Sequence, residues 1–185
     1  MNRLIPASIM IGALILSAFG FGYFSGVQVS EGLRITGWVK VSVVRNGEVT
    51  YFYESHNLIT NQGKDMIAKM VSGGSGSGTG LDPNGANYIA LTTDSAAPSA
   101  TDTSLASEIS ANGLQRAQGA WSHTNGTNTF TVSKTFTASG SFTAVQKAGL
   151  FNAASGGGML AANTFSSVNL ISGDQITITW TITMA

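Results

Sequence analysis

The residues able to do chemistry are few and scattered. The chain holds two histidines, His56 and His123, and no cysteine. A catalytic or metal role needs convergent partners, and these histidines lie far apart in the sequence. Two histidines cannot make a three-His zinc site within one chain. The lack of Cys excludes thiol catalysis, disulfides and Cys-ligated metals. Ser, His and Asp all occur, but no Gly-x-Ser-x-Gly elbow stands at a strand–helix junction. Gly74-Ser75-Gly76-Ser77-Gly78 matches that pattern only as low complexity. The same stretch lacks the Gly-Lys-Ser/Thr exit of a phosphate loop and follows a helical pattern, where such loops follow a strand. Asp102 and Glu108 could take calcium with loop carbonyls, but no calcium-loop spacing supports them. Solvated surface is their simpler reading. His56 has Glu54 as a local partner, and His123 falls in a turn. Asn125-Gly126-Thr127 satisfies the N-glycosylation rule, which makes Asn125 the candidate modification site. No catalytic residue, cofactor or metal is expected, and the chain does not read as an enzyme.

Composition narrows the remaining classes. The 185 residues carry nine Lys+Arg and nine Asp+Glu, for a net charge of zero. A general nucleic-acid binder needs many phosphate-neutralising cations, so no nucleic-acid partner is expected. Charged residues are 10% of the chain, against roughly 25% in ordinary domains. Such weak self-repulsion is compatible with an assembled protein.

The N-terminus reads as a membrane segment. From Leu4 to Ser30 there is no charge, with Arg3 before and Glu31 after. A helix of about 20 residues crosses the hydrocarbon core of a bilayer. The anchoring residues would be Ile9, Leu14, Leu16, Phe19, Phe21 and Phe24. Arg3 favours an inside N-terminus, with the rest of the chain exterior. A cleaved secretory signal is the rival reading, since Ser17, Gly20, Gly22, Ser25 and Gly26 supply small residues for cleavage. A buried core helix is the third. The expected division is an anchor or signal over 1–30 and one domain over 31–185.

That domain reads as all-β. Residues 33–54 form a hairpin: Ile35, Val39, Val41 and Val43 share one face, and Asn46-Gly47 is the signal for a type I′ turn. Val49, Tyr51 and Tyr53 continue the apolar alternation. Trp38 falls on the opposite face, against a second element, a neighbour or the membrane surface. Thr60 or Asn61 caps a short helix in which Met66, Ile67, Met70 and Val71 face the sheet and Lys64, Asp65 and Lys69 face water. It ends at Ser72-Gly73-Gly74, where the Gly/Ser-rich loop begins.

Tyr88–Thr93 and Leu114–Gly119 are short strands, and Ser122–Thr127 is turn-like. Phe130, Val132, Lys134, Phe136 and Ala138 alternate with threonine and serine. Lys134 interrupts the apolar face, which suits a partly exposed or edge position. Phe142, Ala144 and Gln146 begin another alternation. Met159–Phe165 and Val168–Ile171 read as two segments divided from the last strand by Gly173-Asp174. In that strand Ile176, Ile178, Trp180, Ile182 and Met184 share one face, and threonine fills the other. Trp121 and Trp180 read as core or interface aromatics. About eight or nine strands and one short helix are best housed in two packed antiparallel sheets, a jelly-roll-like sandwich, with an immunoglobulin-like one as the alternative.

The order of several pieces resembles a compact domain of virion structural proteins from tailed phages and related archaeal viruses. The pieces are Asn57-Leu58-Ile59-Thr60-Asn61-Gln62-Gly63, Tyr88–Thr93, Asp102-Thr103-Ser104-Leu105 to Glu108, Lys147-Ala148-Gly149-Leu150-Phe151-Asn152, Met159–Phe165 and Gly173–Thr183. Lys147 stands where such proteins often carry an acidic residue. The resemblance implies a head or tail component without enzymatic activity. With the anchor, the expected function is a membrane-anchored virion structural protein. Its partners would be the lipid bilayer, copies of itself and other coat proteins. It would sit in the virion with its C-terminal domain exterior. A cell-surface or filament subunit assembling by strand addition, and an anchored carbohydrate-binding module, are the alternatives.

Overall fold

The computed structural model describes residues 34–72 and 85–185. The expected anchor over 1–30, with its six apolar residues, lies outside these, as does most of the Gly/Ser-rich loop. Among the described residues, no helix is long and apolar enough to cross a membrane.

The elements run β1 (Ile35–Arg45), β2 (Glu48–His56), β3 (Leu58–Ile59), α1 (Asn61–Ser72), β4 (Tyr88–Thr92), β5 (Ala117–Gln118), β6 (Ala120–His123), β7 (Thr129–Thr137), β8 (Phe142–Phe151), β9 (Met159–Leu170) and β10 (Gln175–Met184). They form two five-stranded sheets, ordered β2-β1-β10-β7-β6 and β3-β9-β8-β4-β5. Every pairing is antiparallel. The described residues form the expected two-sheet sandwich with one short helix.

β10 lies at the centre of the first sheet. Its inward Ile176, Ile178, Trp180 and Ile182 are fully buried. They meet Val39, Val41 and Val43 of β1 and Val132 and Phe136 of β7 in one core. Ala148, Leu150, Val168 and Leu170 close that core from the second sheet. Side-chain hydrogen bonds also span the sheets: Tyr51 Oη donates to the Ser166 carbonyl at 2.9 Å, and Asn163 Nδ2 donates to Ser55 Oγ at 2.8 Å.

The β1–β2 hairpin turns on Asn46 and Gly47, with φ of 53° and 86°, as a type I′ turn requires. Its returning strand departs from the expected alternation. The register slips so that Val43 faces Tyr51 but Val44 faces Val49. Thr50 is the extra residue of a β-bulge, which flips the face beyond it. Val49 is therefore 65% exposed. A second irregularity does the same in β8. The register slips between Phe142 and Val145, and Ala144 has a φ of 55°. Val145 and not Gln146 enters the core.

Three boundaries also differ from expectation. β9 is one continuous strand where two segments were expected. Only Ala117–Gln118 of Leu114–Gly119 is strand, while Leu114 fills the core from a turn. Ser122 and His123 belong to β6, and the turn begins after them. Lys134 is half-buried, and β6 pairs only with Phe130–Ser133. Lys134 thus stands just beyond the cover of β6, where an inward-pointing charge guards a sheet edge.

Helix α1 begins at a buried cap. Gly63 N donates to Thr60 Oγ1 at 3.0 Å, and the Thr60 hydroxyl donates to the Met159 carbonyl. Met66 is buried against the sandwich, while Lys64 and Asp65 face water. Gly63 allows the close approach: a Cβ there would stand 2.2 Å from the Leu160 carbonyl oxygen. In an exposed helix, replacing Gly by Ala stabilises by about 1 kcal/mol. Here Gly63→Ala should instead destabilise by about 1–3 kcal/mol, read as a fall in thermal or urea midpoint. A rise in either midpoint would show that α1 does not lie this close to β9.

Candidate assembly surface

The two sheets present very different outer faces. On the first, strands β7 and β10 turn threonine and serine outward in matched rows. Their hydroxyls bond each other: Thr129 with Thr183 at 3.1 Å, Ser133 with Thr179 at 2.8 Å and Thr135 with Thr177 at 2.8 Å. Beside these rows sits an aromatic patch. The Trp38 and His56 rings lie 3.7 Å apart, and Lys40 Nζ is 5.6 Å from the centre of the exposed Phe52 ring. Lys40 also lies 4.0 Å from Glu54.

At one end of the sandwich the sheets part around an apolar groove of about 540 Å³. Met66 and Ile67 of α1 form one wall, and Trp121, Phe130 and Met184 of the first sheet form the other. Leu160 and residues Gly85–Asn87 complete it. Trp121 is 59% exposed, because β6 is an edge strand whose four residues all face solvent. The core reading of Trp121 is corrected on that ground. Trp180, by contrast, is fully buried.

The outer face of the second sheet is covered by its own chain. Residues 93–116 cross it without forming a strand or helix, and Leu105 packs there with Ala90, Phe151, Met159 and Ala162. Arg116 and Lys147 hold this cover down, the first over Phe151 of β8 and the second from β8 itself. Arg116 donates to Glu108 from Nε at 2.9 Å and from Nη2 at 2.5 Å, with its guanidinium 3.6 Å from the Phe151 ring centre. Lys147, only 4% exposed, donates to Asp94 Oδ2. That hydrogen bond, with a second from Ala96 N, holds the Asp94 carboxyl below its ordinary pKa.

A third pair joins two turns. Arg45, at the end of β1, donates to Asp174 from Nη2 at 2.6 Å and from Nε at 2.9 Å. Asp174 is 2% exposed and also accepts Ile171 N at 2.9 Å. The Arg45 hydrogen bond is the main cause that lowers the Asp174 pKa, and burial opposes it.

The residues singled out in the sequence do not converge. His56 lies against the Trp38 ring, and Glu54 is engaged with Lys40. His123 Nδ1 lies 2.9 Å from the Thr129 carbonyl. Glu108 is taken by Arg116, and Asp102 accepts Ser99 N at 2.9 Å, so neither is free for calcium. Among the described residues no group of three His, Cys, Asp or Glu could hold a metal. Asn125 lies in an exposed turn, with Gly126 at a φ of 83°. Two of the ion pairs escaped sequence reading because they join residues distant in the chain, Arg45 with Asp174 and Lys147 with Asp94; Glu108 and Arg116 lie eight residues apart, but in a segment without helical or strand spacing. Lys147 carried one signal: a lysine within an otherwise apolar strand.

A protein-family model described as podophage GP4 fiber I protein gp80 matches residues 77–182, more than half of the chain. No curated protein and no solved structure matches it.

The acid response follows from Asp174. Its carboxyl titrates below the unfolded value of about 3.9. The stability it contributes is therefore present above that value and is lost as pH falls through the folded pKa. Asp174→Asn should lower Tm at pH 7, and the gap from the natural chain should shrink below about pH 4. Thermal scans across pH 2–7 check this; a gap constant over that range would remove Asp174 from the acid response.

Proposed function

The chain belongs to the podophage GP4 fiber I protein gp80 family, and from that premise we propose that it is a virion structural protein that works by packing against its own copies and other coat proteins. It carries no catalytic motif, and its charged clusters tie the fold together instead of facing a pocket. The observation that carries the reading is the apolar groove with Trp121 at its rim. A large aromatic left in water beside an apolar hollow is a contact feature. Apolar area buried there would contribute roughly 25 cal/mol per Å².

The sheet edges favour packing through side chains over added strands. β3 and β5 have two residues each, and β6 has four. β2 is longer, but it carries the Thr50 bulge and two glutamates. Short, bulged and charged edges are poor templates for another strand. The jelly-roll-like description is supported by the pairing of the first and last strands, β1 with β10.

The finer parts of the proposal rest on the sequence. The uncharged run from Leu4 to Ser30 supports a bilayer anchor, and Arg3 supports an exterior domain on a membrane-associated virion. The exposed Asn125-Gly126-Thr127 turn suits glycosylation where the host performs it.

Two measurements test this. In sedimentation velocity of the detergent-purified full chain, Trp121→Ala should shift the protein from oligomer towards monomer while its circular dichroism stays unchanged. An unchanged oligomer would remove the groove as the contact. Deleting residues 1–30 should abolish flotation with lipid vesicles; a truncated protein that still floats would remove the anchor.

A further inference from the structure

We propose that Lys147 and Asp94 form an intramolecular amide, a covalent cross-link between β8 and the segment that follows β4. The inference stands on the fold alone and does not depend on the assembly reading. Lys147 pairs with Thr92 across the β8–β4 ladder, and Asp94 lies two residues beyond Thr92. The ammonium is thus held against a carboxylate from the segment just past the end of the neighbouring strand, with Lys147 4% exposed and Thr92 fully buried.

The carboxylate is held from several sides. Asp94 N donates to Thr92 Oγ1 at 3.0 Å, and Ala96 N donates to Asp94 Oδ1 at 3.2 Å. Oδ2 faces Lys147 Nζ. The two carboxyl oxygens therefore have different surroundings. Oδ1, on a backbone donor, is placed to carry the negative charge of a tetrahedral intermediate. Oδ2, on the lysine, is placed to take protons and leave. Holding nucleophile and carbonyl carbon together in this way replaces a bimolecular encounter, the main obstacle to amide formation between side chains.

The step balances within the pair. A proton passes from the Lys147 ammonium to Asp94 Oδ2, leaving a neutral amine and a neutral acid. The amine lone pair attacks Cγ, and the Nζ–Cγ bond forms. A second proton moves from Nζ to Oδ2, the Cγ–Oδ2 bond breaks, and one water leaves. Charge is zero before and after, and no oxidant or reductant is needed. Burial of Lys147 favours the change, because the amide removes an ammonium charge held out of water, while the Asp94 carboxylate is partly exposed. Glu108 stands in the same cross-strand row beyond Thr92, but Arg116 holds its carboxylate. The proton traffic is therefore assigned to the pair itself.

Mass spectrometry of the denatured full chain tests the proposal. Trypsin should release one branched species joining residues 70–116 to residues 135–185, one water lighter than the sum of its parts, with Lys147 uncleaved. Lys147→Arg and Asp94→Ala should each abolish that species. Separate linear peptides 70–116, 135–147 and 148–185 from the natural chain would overturn the proposal. So would a water deficit in 70–116 that persists in Lys147→Arg, since it would arise from ring closure at an aspartate elsewhere.

Discussion

The placement of β10 between β1 and β7 is the constraint on which the rest of the structure depends. Strict alternation puts Ile176, Ile178, Trp180 and Ile182 on one face of that strand. A slip of one residue would turn four large apolar side chains into water and bury a row of threonines. The hydroxyl pairs on the opposite face reinforce the same register, since Thr177, Thr179 and Thr183 each meet a hydroxyl partner directly across on β7. Register is therefore specified twice, by burial within and by hydrogen bonds without. β1, through residues Ile35–Val44, is aligned on the same strand.

Elements whose signal lies within a few consecutive residues were legible in the sequence. The Asn46-Gly47 turn, β7, β10 and the capped helix all depend on local spacing, and each forms where its residues indicate. What escaped was non-local. The bulges at Thr50 and Ala144 invert the faces of Val49 and Val145, and nothing in their own residue types announces the extra residue. β6 is a strand because β7 offers it an edge; by itself Ala120–His123 has little strand pattern. Arg45 with Asp174, and Lys147 with Asp94, join residues that only the completed sandwich brings together. Of the candidate site, the exposed turn that holds Asn125 was legible. The apolar groove was not, because its walls come from α1, β6, β7, β9 and β10.

The buried ion pairs sit where the sheets give least support. Arg45 joins the end of β1 to the β9–β10 turn, and Arg116 reaches from the loop over the second sheet to the Ala153 and Gly156 carbonyls. Breaking such a pair strands a charge away from water, which is more damaging than never having placed one there. Their effect is to fix the geometry of turns and loops. That suits the packing role proposed for this domain.

The asymmetry between the sheets decides which surface is open for contact. A long segment without regular structure is uncommon in a compact domain. Here residues 93–116 act as a third layer, burying Leu105 with Phe151 and Met159 and pinned at Arg116–Phe151 and Asp94–Lys147. That layer takes up the outer face of the second sheet. Among the described residues the first sheet has no such cover: its threonine rows satisfy one another, and its exposed apolar side chains are the Trp38–Phe52 patch, Val49 and Trp121. Of these, Trp121 lines the apolar groove beside α1.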